Sequence, residues 1–371
     1  MRICYVLLSP TYGMHQYTAY LADRMSAAGH EVHLVTTTAA PHRPYSPQLP
    51  VSKPIEARTT GLSTESLRIK EFRVARRAIT ACRPDAVHFT GPHIWNVHLA
   101  RALCERGVPV VHTLHDLEPH AGNAVLYRIS LRAWTALMIR TADHVLLHCA
   151  RYRDRLIRDG RARGTVTHTP LLFLPLSHAA QRSLDGAPKL AVEYEPWALF
   201  FGRLEAYKGL ECLLSAHRMM DRDPGTPPTL VIAGPGDPTA LLRGALPRDV
   251  ELRNRLIGDA EAIDLLRRCG LLVLPYLHAT QSALVATAYY FQKPVLVSRT
   301  GALPEYVVDG RTGRIVEPGH PPSLARCLKE MLQDPDRLAA MGTAGRAWYE
   351  EQRKAELDGL LSMYARFSPG K

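Results

Sequence analysis

Five positions separate Arg203 from Lys208 in the segment LFFGRLEAYKGLECLLSAHRMM (199–220). The apolar run before them reads as a buried strand ending at Gly202. Arg203 then emerges at its carboxyl end, and Lys208 opens the next helix. Two cations placed there suit an anionic leaving group: arginine offers a planar fork to phosphate oxygens, lysine a mobile point charge. The same residues could instead form a surface pair, or Arg203 an ion pair with Glu205. A second segment (271–319) reads as a strand ending at Pro275, a loop to Ser282, and a helix from about Ala283 to Gln292 with Ser282 as N-cap. The first amides of such a helix offer N–H donors and a positive dipole end to a phosphate. A diphosphate between that helix and Arg203/Lys208 is neutralised from two sides. A third cluster, His112, His115 and His120 with Asp116 and Glu118, follows the strand VPVVHTL. Imidazoles there suit proton transfer or a hydrogen bond to a hydroxyl, with His115 the best placed and Asp116 second. His112 and His120 suit turn capping.

Other chemistries lack support. The loop SPTYGMHQ (9–16) has one glycine, Gly13, and Gly234 and Gly236 give half of a GxGxxG pattern, so a dinucleotide redox cofactor is not indicated. No GxxxxGK[ST] loop is present. The two DxD matches, Asp221–Asp223 and Asp334–Asp336, sit at helix ends or turns beside prolines and read as accidental; no metal is expected. Seven scattered cysteines, none in a CxxC pair, fit free thiols in a reducing compartment.

The elements that must position these residues alternate. Short apolar runs (3–8, 31–36, 86–90, 108–114, 144–149 and 165–169) are interleaved with helical patterns. The second half repeats the theme at 197–202, 229–234, 250–258, 271–276, 294–298 and 313–317. This predicts parallel sheets covered by helices, in two doubly wound, Rossmann-like α/β domains facing a central cleft. The polar stretch 177–196 reads as the connection between them. Such sheets bind ligands outside the carboxyl ends of their strands.

Composition sharpens the reading. With 46% hydrophobic and 22% charged residues, the 371-residue chain can bury large cores. No apolar run reaches the eighteen or so residues of a membrane span, and MRICYVLLSP is too short for a signal-peptide core. A cytoplasmic location is expected. Residues 1–180 hold 22 basic against 12 acidic side chains, and residues 181–371 hold 24 against 23, so nearly all of the +11 net charge lies in the first half. Basic stretches at 67–83 and 150–164 could dock on an anionic membrane at its inner face, or simply be solvated in an arginine-rich chain. In the first, Ile69, Phe72, Arg76, Ile79 and Cys82 form one stripe. The runs lack interleaved stacking aromatics, so nucleic acid is not an expected partner.

GRLEAYKG, the VIAGPGD turn, the block from TQS to GALPEYVVDGRTG, the GHEV segment (29–32) and HTLHDLEPH (112–120) together resemble the retaining GT-B glycosyltransferases of family 4. The resemblance covers essentially the whole chain. It implies an acceptor-side domain over 1–178, a nucleotide-sugar domain over 179–349, and a C-terminal helix over 350–371 that crosses back. It implies a UDP- or GDP-linked sugar as co-substrate, with no other cofactor and no metal. The acceptor would be a small molecule, a glycan or a lipid-linked group. Arg203 and Lys208 would grip the diphosphate, Thr280, Gln281, Ser282, Ala283 and Leu284 would contact phosphate, and His115 would lie near the reacting sugar. Gly13 and Thr287 join the donor-binding set, and Asp116 the acceptor side. The donor's leaving phosphate would deprotonate the acceptor on the same face. The chain departs from the family at two positions, where Ala279 and Thr287 replace a usual pair of glutamates. A sugar-nucleotide epimerase of the same fold and a non-catalytic binding member remain alternatives.

Overall fold

The computed structural model describes residues 1–40, 45–59, 67–115, 125–186, 192–220, 229–237 and 246–368. Asp116, His120 and Asp221–Asp223 therefore lie outside the described residues. One compact unit comprises Met1–Ala179 with Ala355–Lys371, the other Ala180–Lys354.

In the first unit, β1 (Arg2–Leu7), β2 (Glu31–Thr37), β3 (Val51–Ile55), β4 (Ala86–Phe89), β5 (Val110–Leu114), β6 (His144–Leu147) and β7 (Thr165–His168) form one parallel sheet in the order β3-β2-β1-β4-β5-β6-β7. Its central strands are buried along their length, as a sheet covered on both faces requires. The helices are α1 (Tyr12–Ala27), α2 (Ile69–Ala81), α3 (Asn96–Cys104), α4 (Val125–Thr141) and α5 (Ala150–Arg158). Strand β3 is absent from the sequence reading because Pro54 interrupts its pattern. It sits at the sheet edge, where a missing N–H is tolerated. Helix α1 begins at Tyr12, so Gly13 lies in its first turn rather than in the loop. On α2, Ile69 is exposed while Ala75 and Ile79 are buried, so the expected stripe excludes Ile69.

In the second unit, β8 (Ala198–Phe201), β9 (Leu230–Ala233), β10 (Val250–Arg253), β11 (Leu271–Leu274), β12 (Val295–Ser298) and β13 (Gly313–Val316) pair in parallel in the order β10-β9-β8-β11-β12-β13. Its helices are α6 (His178–Asp185), α7 (Leu210–Arg218), α8 (Asp259–Arg268), α9 (Ala283–Tyr290) and α10 (Pro321–Leu332). The expected linker therefore contains a helix, α6, whose single buried residue is Leu184. Helix α11 runs unbroken from Pro335 to Ala365, fifteen residues earlier than the start read from sequence. Asp334, half of a DxD match, accepts from the Arg337 amide and so caps α11.

The last residues of the chain are tied to the first sheet. Tyr364 donates to the Tyr5 hydroxyl at 3.1 Å and lies 2.6 Å from His88 Nδ1. Buried Glu356 accepts from Tyr20, with Arg24 Nε 3.5 Å away.

Candidate functional site

The strand order reverses between β8 and β11 in the second unit and between β1 and β4 in the first. At such switch points the loops diverge and leave room for a ligand. Arg203, Lys208 and the loop to Ser282 all follow β8 or β11.

A single 3-10 turn, Ala206–Lys208, carries the lysine. It closes at Gly209, whose φ is +72° and whose Cα faces the Pro275 carbonyl so closely that a Cβ would lie 2.0 Å from the oxygen. Only glycine fits. The amide of Leu277 donates to Tyr207 O at 2.7 Å, pinning the loop after β11 to this turn. A Cβ at Gly202 would sit 3.0 Å from Lys208 Nζ and 3.8 Å from Leu284 Cδ1, so strand end, ammonium and first turn of α9 converge there.

Lys208 is only 8% exposed, yet its ammonium forms no hydrogen bond or ion pair with a described residue. Burial brings its ammonium from 10.5 to about 8, with Glu205 opposing the shift and Arg203 adding to it. A buried cation without a direct partner is costly, and such a group suits the binding of an anion. Arg203 is different. It is exposed and pairs with Glu205 at 3.1 Å, the contact left open by the sequence. Ser282 caps α9, accepting from the Leu284 amide at 3.3 Å. The N-cap read from the sequence is thus formed, and it engages the Leu284 amide.

In the first unit His115 follows β5 beside the other switch point. Its Nε2 donates to the Thr90 carbonyl at 2.9 Å, which puts a proton on Nε2. Tyr17 of α1 stands edge-on to both His115 and His148, and the two imidazoles are 5.2 Å apart. His148 donates from Nδ1 to Thr169 O, and burial together with the His115 charge lowers it to about 3. His112, read as a turn cap, is instead fully buried in β5 against Trp134 and held near 3 by desolvation. Gly13 meets nothing within 4 Å of a built Cβ, so the fold itself does not demand glycine there. Among the described residues no group of three or more His, Cys, Asp or Glu could hold a metal, and no helix is long and apolar enough to cross a membrane.

A model of Glycosyltransferase Family 4 matches residues 11–171, and one of Glycosyl transferases group 1 matches residues 195–334. Glycogen synthase of Mycobacterium tuberculosis is 30% identical over 294 residues, covering 76% of this chain and 67% of that protein. The chain belongs to the group 1 glycosyltransferases. D-inositol 3-phosphate glycosyltransferase of Streptomyces avermitilis is 28% identical over 366 residues, covering 90% of this chain and 78% of that one. Two solved structures share the GT-B fold. Sucrose-phosphate synthase from Thermosynechococcus elongatus has TM-score 0.73 at 19% identity, covering 99% of this chain and 98% of its own. Anabaena HepE in complex with UDP has TM-score 0.70 at 16% identity, covering 99% and 100%.

In this glycosyltransferase Thr287 is fully buried, and its hydroxyl donates to the Ala283 carbonyl at 2.8 Å within α9. That bond directs the hydroxyl proton into its own helix and leaves the oxygen only as an acceptor. Thr280 is buried, and its carbonyl accepts from the Ala302 amide at 2.8 Å. Gln281 is half-buried, with Oε1 out of solvent and without a hydrogen-bond partner among the described residues. Sequence reasoning missed Tyr276, whose ring lies 5.8 Å from Lys208 Nζ, and Tyr17 and His148 around His115. Each is an ordinary core residue by pattern, and only the loop closures bring them to these positions.

Proposed function

We propose that this group 1 glycosyltransferase is a retaining, metal-independent enzyme that moves a sugar from a UDP- or GDP-linked donor to an acceptor hydroxyl. The donor would bind in the second unit and the acceptor against the first. The observation that carries the reading is Lys208, a nine-tenths buried ammonium with no carboxylate or hydrogen-bond partner among the described residues, beside the first turn of α9. A diphosphate supplies the missing charge. The bound UDP-glucose of another Anabaena HepE structure supports the donor class by likeness of fold.

In the reaction the bond from the sugar's anomeric carbon to the diphosphate oxygen breaks, and one to the acceptor oxygen forms. The acceptor proton passes to the departing phosphate oxygen. The same leaving group supplies the base on one face, so configuration is kept. Lys208 stabilises the charge that builds on the diphosphate, and Arg203 adds its fork on exchanging Glu205 for phosphate. His115, whose Nε2 donates to the Thr90 carbonyl, would orient the sugar or the acceptor.

Turnover of a nucleotide-sugar panel, with and without candidate acceptors, tests the reading. Acceptor-dependent release of nucleotide is expected. Acceptor-independent isomerisation, or binding without turnover across the panel, would reject it.

The donor loop lacks carboxylates, so another group must read the sugar. Ala279 has no polar side-chain atom, and the Thr287 hydroxyl is taken by the helix. The buried Gln281 Oε1, unpartnered among the described residues, is suited to accept from a sugar hydroxyl. Gln281→Ala should raise KM for the nucleotide sugar about tenfold, the worth of one such bond, while leaving inhibition by the bare nucleoside diphosphate nearly unchanged. Thr287→Val should change neither. A Thr287→Val enzyme with Gln281→Ala kinetics would reverse the two assignments.

A further inference from the structure

The donor site uses none of the basic surplus in the first 180 residues, but one cavity gathers part of it. About 460 Å³ in volume, it is bordered by Arg101 and Glu105 at the end of α3, Leu137 and Arg140 in the last turn of α4, and Arg163 just before β7. That volume suits a small organic ligand. None of the three guanidinium groups forms a hydrogen bond or ion pair with a described residue. Arg101 and Glu105 stand four positions apart and still do not pair. Elsewhere the same spacing does produce pairs, Arg155 with Asp159 and Arg346 with Glu350.

The negative ends of α3 and α4 account for Arg101 and Arg140 as helix-dipole partners. They do not account for Arg163, which reaches the same cavity from a loop. The nearby Asp143 carboxylate is turned to the protein: it accepts from the Val110 amide at 2.9 Å and from the Cys104 thiol at 3.8 Å. Three guanidinium groups against one lining carboxylate leave an excess of two positive charges around a recess. Guanidinium forks match phosphate oxygens in pairs.

We propose that this cavity binds the phosphate group of a small phosphorylated effector. It lies by the amino ends of β5, β6 and β7, whereas His115 follows the carboxyl end of β5. It is therefore a second anion site, not a part of the acceptor region.

Calorimetric titration of the full-length chain with pyrophosphate tests this, comparing wild type with Arg140→Ala/Arg163→Ala and with Lys208→Met. Wild type should show two classes of site. The arginine variant should lose one, its affinity falling at least tenfold, and Lys208→Met should lose the other. Leu137→Glu, which adds a carboxylate at a half-exposed lining position, should reproduce the arginine variant without removing a guanidinium. Sedimentation with phosphatidylglycerol vesicles against phosphatidylcholine vesicles separates the two sources of phosphate. Loss of vesicle binding in the arginine variant would assign a lipid headgroup to the cavity, and loss of the pyrophosphate class alone a free molecule. Titrations and sedimentation that are the same for wild type and both cavity variants would overturn the proposal. A failure of the donor-site reading shows separately, as an unchanged titration in Lys208→Met.

Discussion

Lys208→Met is expected to make the protein more stable and to abolish most of its activity. Burial lowers the lysine from 10.5 to about 8, so below pH 8 the folded state carries an ammonium it disfavours by about 3 kcal/mol. The unfolded chain holds that proton up to about pH 10.5. The penalty is therefore complete below pH 8, shrinks as pH rises from 8 to 10.5, and is gone above. Methionine fills the space with no charge, so the denaturation midpoint at pH 7 should rise, and the advantage should vanish by pH 10.5. At the same time kcat/KM should fall about 10²–10³-fold, the usual loss when one donor to a developing anion is removed. Affinity of the wild type for a nucleoside diphosphate should drop as pH passes 8, because the neutral amine no longer attracts phosphate. Near-normal kcat/KM in Lys208→Met would remove the diphosphate assignment. Unchanged stability would mean that the buried ammonium is compensated.

Acid should unfold the first unit well before ordinary carboxylate titration does. His15, His88, His112, His144 and His148 are all buried there. Desolvation is the largest cause in each, holding His15 and His144 near 4, His112 and His148 near 3, and His88 well below its ordinary value. The unfolded chain takes up these protons near pH 6.5 and the folded chain does not. Stability is thus complete above pH 6.5 and is lost as pH falls toward 4. Each histidine costs about 1.4 kcal/mol per pH unit across that window. By pH 5 several such groups acting together reach the 5–15 kcal/mol of a typical domain. Denaturant midpoints should therefore fall steeply between pH 6.5 and 5, with Trp134 fluorescence reporting the change beside His112. His148→Asn should flatten the slope. A midpoint constant from pH 7 to 5 would show that these imidazoles are not buried neutral.

How far the sequence alone reached can be seen residue by residue. The parallel sheets were legible because strands covered on both faces are continuous apolar runs, and helices between them keep a different period. Arg203 and Lys208 were legible because both follow a strand end, where side chains leave the core. Strand β3 was not, since Pro54 breaks the pattern of a strand that survives only at an edge. Helix α6 was not, since a helix with one buried residue carries too weak a periodicity. The difference between Arg203 and Lys208 was also hidden: one pairs with Glu205 at the surface and the other is buried with no hydrogen-bond or ion-pair partner for its ammonium among the described residues, and spacing is the same evidence for both.

By itself, then, the sequence determined the alternation of strand and helix, the family resemblance and the residues at strand ends, because hydrophobic period and local turn chemistry are properties of short segments. The tertiary structure alone decided which polar groups are left without partners. Lys208 beside Gly202 and Leu284, Thr287 turned into its own helix, and three arginines around one recess all depend on which distant segments close against each other. A pattern along the chain does not record that, and burial of charge acts through it.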